Sequence, residues 1–266
     1  MNFRPSEAVV GVVTLLLLVQ VGVCPAENTA RPTPSLTADA IVQKLMAANA
    51  GRAAALRSYR GTRHYRLDYH GIFGAHSAEM QVDATYTAPS KKDFRVVSQS
   101  GSKLLYNRVL LSLLRSEQEA QQDTIRKELE ISPQNYNFAL EGLQHTSDGD
   151  FYVLHLSPRN SSKYVYDGKI WVDAHDFAVA RMQGDPAKNP SLWVSHTQIE
   201  YRWQKFGAFW LPIHTESVTQ VRLGGKATLT IDYSGYQLTA SGQGPHSAGS
   251  NSTPMPDPAT VTADPH

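Results

Sequence analysis

Between residues 59 and 238 apolar and polar side chains take turns, run after run, and this two-residue rhythm limits the chain to a sheet with one dry face. Tyr59, Gly61, Arg63, Tyr65, Leu67 and Tyr69 share one parity, while Arg60, Thr62, His64, Arg66, Asp68 and His70 share the other. After a glycine-containing turn at 71–74, Ala78, Met80, Val82, Ala84 and Tyr86 alternate with Glu79, Gln81, Asp83 and Thr85. Successive strand residues point to opposite faces, so this reads as a long antiparallel hairpin with one buried face. Pro89, Ser90 and Lys91 then turn the chain into a strand holding Phe94.

The rhythm returns downstream. Tyr136, Phe138 and Leu140 share a face, Asp148-Gly149 turns into 151–156, and Asn160-Ser161-Ser162 turns into 163–173. His175-Asp176 leads into 177–183, and Ile199, Tyr201 and Trp203 then alternate with Gln198, Glu200, Arg202 and Gln204. Gly207 turns into 209–221 and Gly224-Gly225 into 226–238. That makes roughly ten strands in hairpin order, an antiparallel meander rather than a βαβ fold.

Two stretches break the rhythm. Thr37 or Asp39 can cap a helix whose Ile41, Leu45, Ala48 and Leu56 lie near one stripe, with Gly51 weakening its end. From 103 to about 121 the leucines 104, 105, 110, 111, 113 and 114 crowd around Val109, too wide an apolar surface for a lone surface helix. Glu117 and Glu119, two apart, point to different sides and are expected at a solvated helix end.

A large one-sided sheet must close on itself, pack on a second sheet, or curl around a plug. If it curls around the helices, an apolar cavity can remain. Its candidate lining is Tyr65, Leu67, Tyr69, Met80, Val82 and Tyr86 from the first hairpin, Phe94, Leu110 and Leu114 next, then Phe138, Tyr201 and Trp203. The same residues suit an ordinary packed core, and alternation alone does not separate the two.

The ends of the chain read differently. Arg4 and the amino terminus precede an apolar run at 8–23, and Cys24-Pro25-Ala26 suits a signal-peptidase site, so residues 1–26 are expected to be an export signal. A lipidated Cys24 is the second reading, with Val23 the wrong size before it. Cys24 is the only cysteine, so a chain cut after Ala26 has no disulfide and no thiolate metal site. Residues 27–36 read as a linker, 37–240 as one domain, and 241–266, rich in Gly, Ser and Pro, as a disordered tail. A formal charge of +1 gives no field suited to nucleic acid or an anionic membrane surface.

No constellation points to catalysis. His64 and His70, with His76 across the turn, do not converge: six strand residues span about 20 Å. His175-Asp176 sits where a turn is needed, and Asp there serves the turn. The stretch 98–102 lacks the Gly-x-Ser-x-Gly elbow, and no Gly-rich phosphate loop or His-Glu-x-x-His occurs. The loop around Lys188, after Gly184-Asp185-Pro186, could touch a partner. The expectation is a protein with no catalytic residue, no metal and no cofactor, and not an enzyme.

Several short stretches resemble the LolA/LolB-like superfamily, and most of all its outer-membrane lipoprotein-sorting group. They are Tyr59-Arg60-Gly61, the 65–71 strand, Tyr86-Thr87-Ala88-Pro89, Gly168-Lys169-Ile170-Trp171-Val172-Asp173, Asp176-Phe177-Ala178-Val179 and Trp210-Leu211-Pro212. The resemblance spans 37–238. It implies a mainly β fold with helices, a curved antiparallel sheet forming an incomplete barrel covered by two or three helices. It also implies a periplasmic protein that binds lipid or lipoprotein acyl chains inside, with inner- or outer-membrane envelope proteins as partners and no nucleic acid. The superfamily includes a sensor domain as well as carriers, so an interaction module regulated by bound lipid is the alternative.

Overall fold

The computed structural model describes residues 36–247, apart from 73, 120, 163, 190–193, 223 and 242. The expected export signal at 1–26 with Cys24, nearly all of the 27–36 linker, and the tail from 248 onward lie outside the described residues.

A helix, α1 (Ala38–Ala55), opens the domain, its amino end capped by the Thr37 hydroxyl accepting from the Ala40 amide. The alternating first hairpin becomes β1 (Leu56–Gly71) and β2 (Gly74–Thr87), followed by β3 (Lys91–Gly101). Seven more long strands follow the helical insertion: β4 (Tyr136–Thr146), β5 (Gly149–Pro158), β6 (Tyr166–Asp173), β7 (Val179–Pro186), β8 (Val194–Phe206), β9 (Phe209–Val221) and β10 (Gly225–Ala240). They form one antiparallel sheet in the order β3-β2-β1-β10-β9-β8-β7-β6-β5-β4. The sheet is curved and does not close, an incomplete barrel whose two edges are β3 and β4.

The insertion is helical, as expected, but not uniform. Lys103–Leu105 (α2) passes into a π turn at Tyr106–Leu110 and resumes as α3 (Leu111–Glu119). A further short helix, α4 (Asp123–Leu129), follows. Among the described residues no helix is long and apolar enough to cross a membrane.

Register makes the inner face explicit. Reading across the sheet, Met80, Tyr65, Ile231, Thr215, Tyr201, Met182, Ile170, Leu154 and Leu140 stand opposite one another strand by strand. The two ends of this row are covered separately. Leu110 and Leu114 of the insertion pack on Tyr65, Leu67, Met80, Val82 and Ile231. Ile41, Val42 and Leu45 of α1 pack on Leu154, Leu156, Ile170, Val172 and Met182. A third cluster joins Phe209 and Leu211 to Tyr236 and Leu238.

Two expectations need correcting. Leu56 is not on the helix stripe but opens β1, because α1 ends at Ala55, four residues past Gly51. The last turn of this helix is clamped by Arg52, which donates to the carbonyl oxygens of Asp176 (3.0 Å) and Phe177 (2.8 Å). The stretch 241–266 is not structureless throughout, because Gln243–Ser247 (β11) pairs with β10. Pairing of β9 with β10 stops at Asp232, which leaves the far end of β10 an open flank for the chain to fold back upon.

Candidate functional site on the concave face

The middle of the inner row lies between the two helix-covered clusters, and its side chains are phenols and hydroxyls rather than aliphatics. Tyr201 stacks on Trp203 (5.7 Å between centroids), meets Tyr166 edge-on (6.2 Å), and its hydroxyl is 3.4 Å from that of Tyr166. Opposite it, the Thr215 hydroxyl shares a hydrogen bond with the Tyr233 hydroxyl at 3.3 Å. Tyr59 stacks on Tyr86 and meets Tyr236 edge-on.

One inward position holds a charge. Arg63 follows the apolar parity of β1 and is 6% exposed. Its guanidinium lies between the rings of Phe94 and Tyr233, at 5.0 and 5.2 Å, and Nη1 donates to Glu117 Oε1 (2.6 Å) and to the Tyr65 hydroxyl (3.2 Å). Burial works against the charge, but the Glu117 carboxylate overrides it and raises the Arg63 pKa above its ordinary value. Glu117 is thus not a solvated helix end. An arginine on the dry side of a strand needs a counter-ion, and α3 supplies it from above.

Burial raises the phenol pKa of Tyr59, Tyr166 and Tyr233, and that of Tyr201 most, and it lowers the Lys92 ammonium. All five nevertheless keep solvent-accessible surface. Trp203 borders a recess of about 310 Å³, walled by Leu56, Ala178, Val179, Phe209 and Leu211 and closed at one rim by Asn49 and Arg52. That volume is at the lower end of the range for small-ligand pockets.

The twelve candidate lining residues do not surround one cavity. Tyr65, Leu67, Met80, Val82, Leu110 and Leu114 are packed together beneath the insertion, with Phe94 at their margin. Phe138, Tyr201 and Trp203 border the α1 cluster. Tyr69 and Tyr86 stand apart, their hydroxyls donating to the Gly224 and Pro89 carbonyls. Tyr201 stacks on Trp203, and Trp203 alone of the twelve borders the recess. Arg63, Glu117, Lys92, Tyr59 and Tyr166 were not among the candidates. The sign that could have found them is Arg63 itself, a charge in phase with Tyr65 and Leu67.

Chemically, the middle of the inner face offers neutral phenols, ring faces and one internally neutralised cation. Among the described residues no three His, Cys, Asp or Glu side chains gather closely enough to hold a metal ion.

No family model matches the chain, and no curated protein matches it. Solved structures similar to it include a DUF1329 family protein from Desulfovibrio piger, at 13% identity and TM-score 0.39, covering 78% of this chain and 95% of that one. A domain assigned to the outer membrane lipoprotein-sorting proteins, from Vibrio parahaemolyticus, has 10% identity and TM-score 0.38, covering 76% and 93%. A LolA superfamily protein from Nitrosomonas europaea has 14% identity and TM-score 0.31, covering 77% and 94%. At these values no residue role passes from them to this chain.

Proposed function

We propose that the protein binds lipid or lipoprotein acyl chains in the periplasm, holding the chain in the recess beside Trp203 and the polar end toward the phenols of Tyr201 and Tyr166. It performs no covalent chemistry on its cargo. The observation that supports this reading is the stacking of Tyr201, desolvated yet still touched by solvent, on Trp203, which borders an apolar recess. Each methylene taken from water contributes about 0.8 kcal/mol, so a long acyl chain gains on the order of 10 kcal/mol. Phenol hydroxyls can pair with ester or amide oxygens at its head.

A carrier must also let go. The 103–119 helix serves as the lid: Leu104 on it is 63% exposed, so its apolar surface is only partly covered. Arg63–Glu117 and the Gln121 side chain, which both donates to and accepts from the Lys92 backbone (3.1 and 3.0 Å), tether it to the sheet.

Native mass spectrometry of the protein without residues 1–26 should show co-purified lipid. A disulfide between Lys92→Cys and Gln121→Cys should block uptake of a fluorescent fatty acid when oxidised and restore it when reduced. Unchanged uptake sinks the lid, and a lipid-free mass with no uptake sinks the binding. Lipid that is bound but never exchanged to acceptor vesicles replaces carriage with the sensor or interaction module.

A further inference from the structure

The face of the sheet turned away from both helices carries most of a groove of about 910 Å³, which shares Trp203 and Trp210 with the recess. Strand parity places it there. Ile170, Val172 and Met182 are in the core, and the residues between them, Trp171, Asp173 and Arg181, project to the other side and line the groove. Trp171, Arg181 and Arg202 stand opposite one another across β6, β7 and β8.

The lining is held in place by its own contacts. The Trp171 indole donates to Gln144 Oε1 (2.9 Å), and the Arg181 guanidinium lies 4.6 Å from its ring centre. Arg181 also pairs with Glu200 (2.9 Å). At the other end Asp176 accepts from the Trp210 indole (3.0 Å) and pairs with Lys205 (2.6 Å).

Three properties select the ligand. The lining cations Arg181, Arg202 and Lys205 are balanced by the carboxylates Asp148, Asp173 and Asp176, so the groove has no field for a nucleic acid or an anionic lipid. Its floor is built mainly from β5 to β9, which are paired on both sides, and an extended peptide could join a strand edge only at the rim where Gln144 and Thr146 of β4 lie. What it offers is ring faces among amides, carboxylates and guanidinium groups that both donate and accept. A sugar ring has this pattern, with an apolar C–H face and a rim of hydroxyls. We propose that the groove binds a neutral oligosaccharide.

The test is titration of the protein with tetra-N-acetylglucosamine, cellotetraose and maltotetraose, followed by tryptophan fluorescence and calorimetry. Saturable binding of at least one is expected, little changed by added salt. Trp171→Ala should weaken it about tenfold or more, the loss of one ring-stacking contact. Gln204→Ala, at an exposed groove position, should weaken it several-fold with the melting temperature unmoved, which keeps the test valid if Trp171→Ala fails to fold. No saturable binding of any of the three at millimolar concentration overturns the proposal. Binding untouched by Gln204→Ala and Trp171→Ala overturns it too, as does displacement of the sugar by an extended decapeptide in the same groove.

Discussion

Arg63 and Glu117 meet at 2.6 Å across the boundary between the sheet and the helix that covers it, with side-chain exposures of 7% and 31%. The two ends of this ion pair are therefore unequal. Removing Glu117 strands a buried cation, whereas removing Arg63 leaves a carboxylate that can reach water.

Glu117→Ala should accordingly cost about 3–4 kcal/mol, within the range for breaking a buried pair. Arg63→Met, which fills the same space between Phe94 and Tyr233 without charge, should cost about 1 kcal/mol, the loss of its ring contacts. Urea unfolding with matched slopes measures both. A larger loss for Arg63→Met than for Glu117→Ala would show that the guanidinium is not desolvated.

The Asp176 carboxyl is held well below the usual carboxylate range, first by the Lys205 ammonium, against the effect of burial, and then by His175 and Trp210. A carboxyl depressed in the folded state stabilises the fold above its unfolded value, about 3.9, and that contribution drains away as pH falls. Asp176→Asn should lose about 1–3 kcal/mol at neutral pH, where the charged hydrogen bonds are complete. The gap between the two proteins should narrow steadily as acid is added below about pH 4. A gap independent of pH would place the effect elsewhere.

Two glycines should respond in opposite directions. Gly168 faces Gly184 across β6 and β7, and a Cβ there would lie 2.1 Å from the Gln183 carbonyl oxygen. Gly168→Ala should therefore destabilise by about 1–3 kcal/mol. Gly51 sits inside α1 with open space around it, so Gly51→Ala should stabilise by about 0.5–1 kcal/mol. Melting temperatures moving the same way for both would contradict the packing.

Phe177 adopts φ of +48°, a conformation side chains resist, at the turn that Arg52 clamps. Its ring stacks on Tyr152 and packs on the α1 cluster. Phe177→Gly relieves about 1 kcal/mol of backbone strain but gives up about 2–3 kcal/mol of burial, so a net loss of about 1–2 kcal/mol is expected by urea unfolding. A gain would mean the strain outweighs the packing.

Much of this architecture is legible from the chain itself. The alternation around Tyr65, Met80 and Ile231 and the turns at Asp148-Gly149, Gly207 and Gly224-Gly225 lead directly to the meander, because side-chain period and turn chemistry are local. The packing on the inner face is less legible. Periodicity says which way Leu110 or Trp203 points, but not which partners meet it, and so twelve residues that share a parity fall into separate clusters. Glu117 reads as solvated because helix spacing orders side chains around an axis without saying how that axis is laid on the sheet. Nothing local foretells that β1 lies against β10.

That last adjacency has a consequence for how the molecule is made. Until β10 exists, the strands before it can assemble only as two unjoined blocks, β1 to β3 and β4 to β9. Their union requires Tyr65 to find Ile231 from far along the chain, a closure with a large entropic cost and a slow rate. A nascent polypeptide of this design stays open until its final long strand has emerged.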